Sequence, residues 1–337
     1  MLTSKVIYES KAFSRITELE IDSKRLVTPT YFPAVSSYGI KYSFCGLVRL
    51  LTAYSYPRIL VSAYDFNLLA DKNKRELSHE ISEYLKRGCF VFLDSGIFES
   101  YWKADTKWTY DLYKASMSQI DFDFYTSFDV LPDTRDSRKF EKETFERILA
   151  SRSLTNKPGF VPILHGVSPN RLVSLVTKFV ETYPDLSNLI ALPERDCGDD
   201  IIEKARTVMR IRKVLDADGR DRVLHLLGCG NPLSLLLLSY CGADSFDSLD
   251  WIKHAIDQKR LTISDFSHLE LVDCNCSICA DAKRDYTERV LLHNLLFYQN
   301  YMLRIQSLIR TDEVLKFLRE LVGQKILNKI GHTGMGT

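Results

Sequence analysis

The chain has 337 residues, 45% of them apolar and 26% charged, which excludes a fibrous or wholly disordered chain and a small disulfide scaffold. Lysines and arginines number 45 against 44 aspartates and glutamates, so the net charge of +1 creates no global field, and any nucleic-acid surface has to be local. The longest apolar run, Pro232–Tyr240, falls far short of the roughly 18 to 20 residues a bilayer requires. The opening MLTSKVIYESKAF has no apolar signal core, so a cytoplasmic protein without membrane contact is expected. Its 8 cysteines are then expected as thiols or metal ligands rather than disulfides.

In chain order, β-branched and aromatic runs bounded by turn residues predict strands at 27–35, 58–64, 89–94, 122–129, 160–166, 186–192, 222–227 and 243–248. Helical spacing fills most of the gaps, at 67–87, 110–120, 138–152, 169–182, 201–215 and 232–241. Alternating β and α units imply a parallel sheet, and eight of them point to an α/β fold of the (β/α)₈ TIM-barrel type. No Gly-Ser or Pro-rich linker divides the chain. The expected organisation is a barrel over 1–270 followed by a C-terminal zinc-binding and helical segment over 271–330 that packs on it. The basic residues between 302 and 330 read as a solvated helix face, and the tail GHTGMGT reads as disordered.

Cys274, Cys276 and Cys279 place three soft donors on one tight turn, a set suited to tetrahedral Zn²⁺ or an iron–sulfur cluster. His293, inside an apolar helical stretch, is the expected fourth ligand, with His268 as the rival. A Cys₃His site has no open position, so zinc here would be structural and would tie the last helix to the barrel.

Barrel enzymes carry their chemistry at the C-terminal ends of the strands. Three aspartates stand there: Asp94 in FLDSGIFES, Asp129 in YTSFDVLP and Asp247 in GADSFDSLD. A single such aspartate reads first as a helix cap or turn residue. Three on one mouth are equipment for chemistry at an anomeric carbon, where one carboxylate attacks C1′ and another handles the proton of the leaving group. Gly96, Gly228 and Gly230 leave backbone bare nearby, which lets a flat ring approach. There is no Walker sequence and no complete G-x-G-x-x-G, so neither ATP nor a dinucleotide is indicated.

These segments, together with VTPTYFPAV, ILVSAYDF, HLLGCGNP, CNCSIC and LLHNLLFY, resemble the tRNA-guanine transglycosylases, and more closely the divergent branch that installs 7-deazaguanine bases in DNA. The resemblance covers most of the chain. It implies that Asp247 is the nucleophile toward C1′ and Asp94 the general acid/base. It implies further that Asp129 reads the amino-pyrimidine edge, aided by Ser95 and the backbone around Ala191 and Leu192, with Gly228 beside them. His165 stands where the tRNA enzymes have a Gln, Glu99 where a Gln follows the Phe, and ALPERD replaces a glycine-rich LAVGE-type strand end, so the base pocket is rebuilt. The interval from Cys279 to His293 is also shorter, and no RNA-binding domain is expected after the barrel.

On these departures and the near-neutral charge, DNA is the favoured polymer, with a 7-deazaguanine, in its 7-cyano form, as incoming base. A tRNA enzyme is the alternative, and a non-catalytic partner subunit of one the further alternative. Either polymer has to flip its guanine into the mouth, with helper proteins opening a duplex if the site is paired. Tyr101, Trp102 and Trp251 are candidates for stacking on it or for packing under loops. Lys253, His254, Lys259 and Arg260 are candidates for phosphate contacts.

Overall fold

The computed structural model describes residues 2–10, 12–37, 42–131, 137–281 and 283–331. The chain opens as an antiparallel meander of β1 (Leu2–Glu9), β2 (Arg15–Ile21) and β3 (Lys24–Val27). Eight strands follow that pair in parallel: β4 (Thr30–Val35), β5 (Arg58–Ser62), β6 (Phe90–Asp94), β7 (Phe124–Thr126), β8 (Gly159–Val161), β9 (Leu189–Pro193), β10 (Val223–Leu227) and β11 (Ser245–Ser248). Their order is β8-β7-β6-β5-β4-β11-β10-β9. The two ends meet through an Ile163–Ala191 bridge, where the Leu164 amide donates to Ala191 O and the Ala191 amide to Pro162 O, each at 3.0 Å. Chain neighbours are therefore spatial neighbours all the way round, which is the expected (β/α)₈ barrel. A short hairpin, β12 (His254–Asp257) with β13 (Thr262–Asp265), follows the last strand.

Strand parity decides what enters the barrel, because successive side chains point to opposite faces. Phe32, Ala34, Leu60, Phe90, Phe92, Phe124, Leu189, Ala191 and Val223 form the interior core, while Tyr31, Val35, Ile59, Val61, Val91, Leu93, Tyr125, Ile190 and Leu192 belong to the core under the helices. Leu19, Ile21 and Leu26 of the meander join the interior set, so the meander plugs the barrel at one end. Lys24 fastens this plug by reaching Asp123 and, at 2.9 Å, Cys89 O.

All six expected helices are present, as Asp71–Lys86, Tyr110–Met117, Ser137–Arg152, Pro169–Thr182, Ile201–Ala217 and Pro232–Tyr240. Three differences stand out. The meander and the helix Phe44–Ala53 were not expected from the sequence. The strands expected at 122–129 and 160–166 are shorter, because their apolar ends turn out of the ladder; Phe128, for instance, packs on Trp108, Tyr110 and Tyr113. The terminal helical region divides into Tyr286–Arg310, Val314–Val322 and Gln324–Gly331, broken where Asp312 and Gly323 take positive φ of 57° and 77°. Residues 332–337, the tail expected to be disordered, lie outside the described residues.

One buried ion pair locks the outer layer to the barrel. Arg212, fully buried on the helix Ile201–Ala217, donates to Asp244 Oδ2 at 2.8 Å, to Arg222 O at 2.8 Å and to Gly242 O at 3.0 Å. Asp244 Oδ2 also accepts the Leu224 amide at 2.8 Å. Removing one partner of such a pair strands the other charge in a medium that solvates it badly. Arg212→Met is therefore expected to lower the unfolding free energy by about 3–5 kcal/mol in urea denaturation, whereas removal of the half-exposed Arg49, which meets Glu76 and Glu80 at the surface, should change it by less than about 1 kcal/mol.

Candidate active site and metal centre

A cavity of about 310 Å³ opens at the strands' C-terminal ends, and Asp94, Ser95, Glu99, Asp129, His165, Gly228 and Asp247 all line it. Parity puts two of them there. In FVFLD, Phe90, Phe92 and Asp94 share the inward face, and in SFDS an outward Phe246 leaves Asp247 inward. Asp129 and His165 arrive differently, on loops beyond the ends of β7 and β8 rather than on the strands expected to carry them.

Asp247 is held from below. Its Oδ1 accepts His225 Nε2 at 3.1 Å and the Gly228 amide at 3.2 Å, so Oδ2 is the oxygen free of these donors. Facing a carboxylate, Nε2 of His225 donates, and Nδ1 lies 2.8 Å from the Ser245 hydroxyl. The His225 ring rests on the interior phenyl layer, with its centroid 5.1 Å from that of Phe92. Gly228 has φ +77°, and this left-handed conformation is what aims its amide at the carboxylate.

Asp94 accepts the Gly96 amide at Oδ2, at 3.0 Å, and lies 3.4 Å from the Thr126 hydroxyl at Oδ1. Gly96 combines φ +75° with contact so close that a Cβ would lie 2.3 Å from Tyr64 Cβ. Burial, then the carboxyl groups of Glu99 and Asp129, push Asp94 well above the usual carboxylate range, against the pull of the Gly96 amide. Burial also raises Glu99, to about 7, and its Oε2 has no hydrogen-bond partner among the described residues.

Asp129 is doubly engaged: Oδ1 accepts the Ser95 hydroxyl at 2.7 Å and Oδ2 meets His165 Nε2 at 2.8 Å. Ala191 and Leu192 do not line the cavity. Both backbone groups of Ala191 are spent on closing the barrel, Leu192 points outward, and Pro193, Glu194 and Arg195 form that wall instead. Phe98 stands on the wall beneath Arg195, whose guanidinium lies 4.7 Å from the ring centroid.

Of the stacking candidates, Tyr101 and Trp102 are 62% and 55% exposed, whereas Trp251 is wholly buried with Nε1 donating to Ala34 O at 2.8 Å, a packing role. Lys253 lines the cavity. The other phosphate candidates face acids: His254 lies 3.7 Å from Asp250, Arg260 lies 2.9 Å from Asp257, and Lys259 meets Asp273. Sequence reasoning missed His225 and Asp196. The first had a signal, a lone polar residue at an inward position of VLHLL.

The metal set assembles as expected. The ligand atoms of Cys274, Cys276, Cys279 and His293 lie within 4.8 Å of one another, and His268 is not among them. Tetrahedral zinc with bonds of about 2.3 Å to sulfur and about 2.0 Å to nitrogen requires S···N edges of roughly 3.5 Å. The three sulfurs lie 3.5, 3.6 and 3.3 Å from His293 Nδ1. Nε2 of the same ring faces Ile256 O at 2.8 Å, which fixes the tautomer that leaves Nδ1 its lone pair. The four residues thus fit a zinc ion.

The helix Tyr286–Arg310 that bears His293 also reaches the cavity loops. Asn294 donates to Trp251 O at 2.9 Å and His254 O at 2.7 Å, and Tyr298 donates to Gly230 O at 2.8 Å. Tyr298 stacks on Tyr31 at 3.9 Å, and the Tyr31 hydroxyl lies 2.9 Å from that of Ser248, next to Asp247.

Residues 10–325 match the family model described as queuine tRNA-ribosyltransferase. The tRNA-guanine(15) transglycosylase of Thermococcus onnurineus is 23% identical over 333 residues, covering 92% of this chain and 55% of that protein. Its namesake from Methanocaldococcus jannaschii is 25% identical over 344 residues, covering 92% and 50%. That from Methanopyrus kandleri is 25% identical over 310 residues, covering 83% and 63%. The chain spans about half the length of the first two. Matched across most of its length and folded as the barrel that the motifs imply, the chain belongs to the queuine tRNA-ribosyltransferase family.

Proposed function

We propose that this chain exchanges guanine in tRNA for a 7-deazaguanine base through a covalent aspartyl–C1′ intermediate. The observation that carries the reading is the convergence of Asp94, Asp129 and Asp247 on one cavity in a member of this family. A non-catalytic partner subunit has no need of that set. The names of the relatives speak for tRNA as the polymer. The departures that favoured DNA, at His165, Glu99 and Pro193, all fall on the cavity wall, so they bear on the choice of base and not on the polymer.

Asp247 attacks C1′ of the flipped nucleotide through Oδ2, while His225 and the Gly228 amide steady Oδ1. The C1′–N9 bond breaks with its electron pair on guanine, and protonated Asp94 supplies the proton the leaving base needs. The incoming base then binds with its N–H edge on Asp129. Asp94, now ionised, takes the proton from the nitrogen that attacks C1′, and Asp247 leaves as a carboxylate. Two displacements return the original configuration. Zinc, held by the three cysteines and His293, would supply structure only and keep the helix Tyr286–Arg310 seated on the loops after β10 and β11.

Labelled guanine and 7-cyano-7-deazaguanine, offered with tRNA and with single-stranded DNA, test the reading by incorporation. Label in tRNA supports it, label in DNA alone would transfer the same chemistry to the other polymer, and label in neither would overturn base exchange. Asp247→Ala should abolish both exchange and the covalent adduct seen on a denaturing gel. Asp94→Asn should slow turnover by about 10²–10⁴-fold through the lost proton transfer. Guanine release needs Asp94 protonated, so its rate should fall as pH rises through the raised Asp94 titration, well above the ordinary carboxylate range. Metal analysis should find zinc in the purified protein and its loss, with a lower melting temperature, in His293→Ala. Zinc retained by that variant would move the fourth ligand to His268.

A further inference from the structure

One imidazole and two buried aspartates share the protons behind the base-reading carboxylate. His165 lies between two aspartates: Nε2 is 2.8 Å from Asp129 Oδ2 and Nδ1 is 3.0 Å from Asp196 Oδ2. All three side chains are nine-tenths or more buried. An ionised carboxylate only accepts, and a neutral imidazole has one N–H, so a neutral ring could satisfy one aspartate and would turn a lone pair on the other. The doubly protonated ring donates to both. Burial opposes that charge, and the hydrogen bonds and charges of Asp129 and Asp196 outweigh it, raising His165 to about 9.

We infer that Asp196, which lies behind the cavity wall, is a positioning residue that locks His165 as an imidazolium and through it holds Asp129 ionised for base recognition. The inference rests on the proposed base exchange for its meaning and on the geometry for its substance. Asp196 comes from the turn Glu194–Cys197 after β9, and its Oδ2 also accepts the Gly166 amide at 3.1 Å, which ties that turn to the His165 loop. The consequence falls on Asp129. Its neighbours in the cavity include Asp94, Glu99 and Asp247, each of which would favour protonating it. Protonated, Asp129 would present a donor to the N–H groups of a guanine-type edge; ionised, with one lone-pair direction per oxygen used by Ser95 and His165, it keeps one per oxygen for the base.

The charged groups around the ring are Asp129 from the loop after β7 and Asp196 from the turn after β9. Arg195 stands 3.5 Å beyond Asp196, Glu194 is paired with Lys204 at 2.8 Å, and Asp94 and Glu99 share the cavity. An imidazolium is present below its pKa and lost above it. Affinity for the base should therefore hold to about pH 9 and fall beyond it.

Asp196→Asn is the test. It can pair with a neutral ring, so it should raise KM for the incoming base about ten- to a hundredfold, leave kcat within about twofold, and move the alkaline loss of affinity to lower pH. Asp196→Glu should restore much of the KM. A KM for Asp196→Asn equal to that of the native protein across pH 6–9, or a loss confined to kcat, would overturn the inference. A second measurement is independent of base exchange: nitrogen NMR of the histidine rings in the free protein, with His165 assigned through His165→Gln. A ring doubly protonated at pH 8 in the native protein and neutral there in Asp196→Asn supports the lock, and a neutral His165 in the native protein refutes it even if exchange activity proves real. Failure of exchange with the ring still charged would instead count against the proposed function alone.

Discussion

Six carboxyl groups line one cavity at the mouth of a closed barrel, and Asp94, Glu99, Asp129 and Asp247 are the four of them that enter the proposed chemistry. Their mutual repulsion in a setting poor in water is the constraint that the surrounding structure answers. Each is treated differently. Asp247 is held at one oxygen by the His225 ring and a backbone amide, Asp129 is offset by a cation, and Asp94 and Glu99 are left to hold protons. Identical functional groups thereby acquire separate chemical characters from their surroundings alone, and a nucleophile, a proton donor and a recognition group can coexist within one cavity.

The support for this arrangement runs in two directions. Below it lies the phenyl layer of the barrel interior, on which His225 rests, closed at the far end by the meander. Beside it lies the helix Tyr286–Arg310, whose His293, Asn294 and Tyr298 fall on successive parts of one buried stretch. His293 belongs to the metal set, Asn294 grips the turn after β11, and Tyr298 touches the loop after β10 and stacks on Tyr31. The metal-ligand set and the cavity loops are thus joined by one continuous helix.

Much of this was legible in the sequence, because near-continuous apolar runs punctuated by turns are what the doubly buried strands of a parallel barrel require and because three cysteines crowded onto one turn are a donor set suited to a soft metal ion. Asp94 could be placed by parity alone. The meander escaped because LTSKVIYE alternates polar and apolar residues weakly and none of its residues is fully buried. The helix Phe44–Ala53 escaped because FCGLVRLLTA mixes a glycine, a cysteine and β-branched residues of low helix propensity, and tertiary burial makes up the difference. The cavity wall at ALPERD was legible as a departure but not in its meaning. Which of Glu194, Arg195 and Asp196 turns back toward His165 depends on a single turn of 3₁₀ helix, and no periodicity announces that.

The interlocking of His165 with two aspartates also governs how this pocket can be altered. A change at position 165 alone removes the buried ring partner of Asp196 and leaves it to Arg195 and the Gly166 amide, and a change at 196 alone leaves the ring one acceptor short. Either single step passes through a less stable and poorly recognising protein, while the two together need not. Redesign of base preference in this chain, by a laboratory or by descent, is therefore a paired move across the seam where β8 meets β9, which among the described residues is closed by a lone bridge.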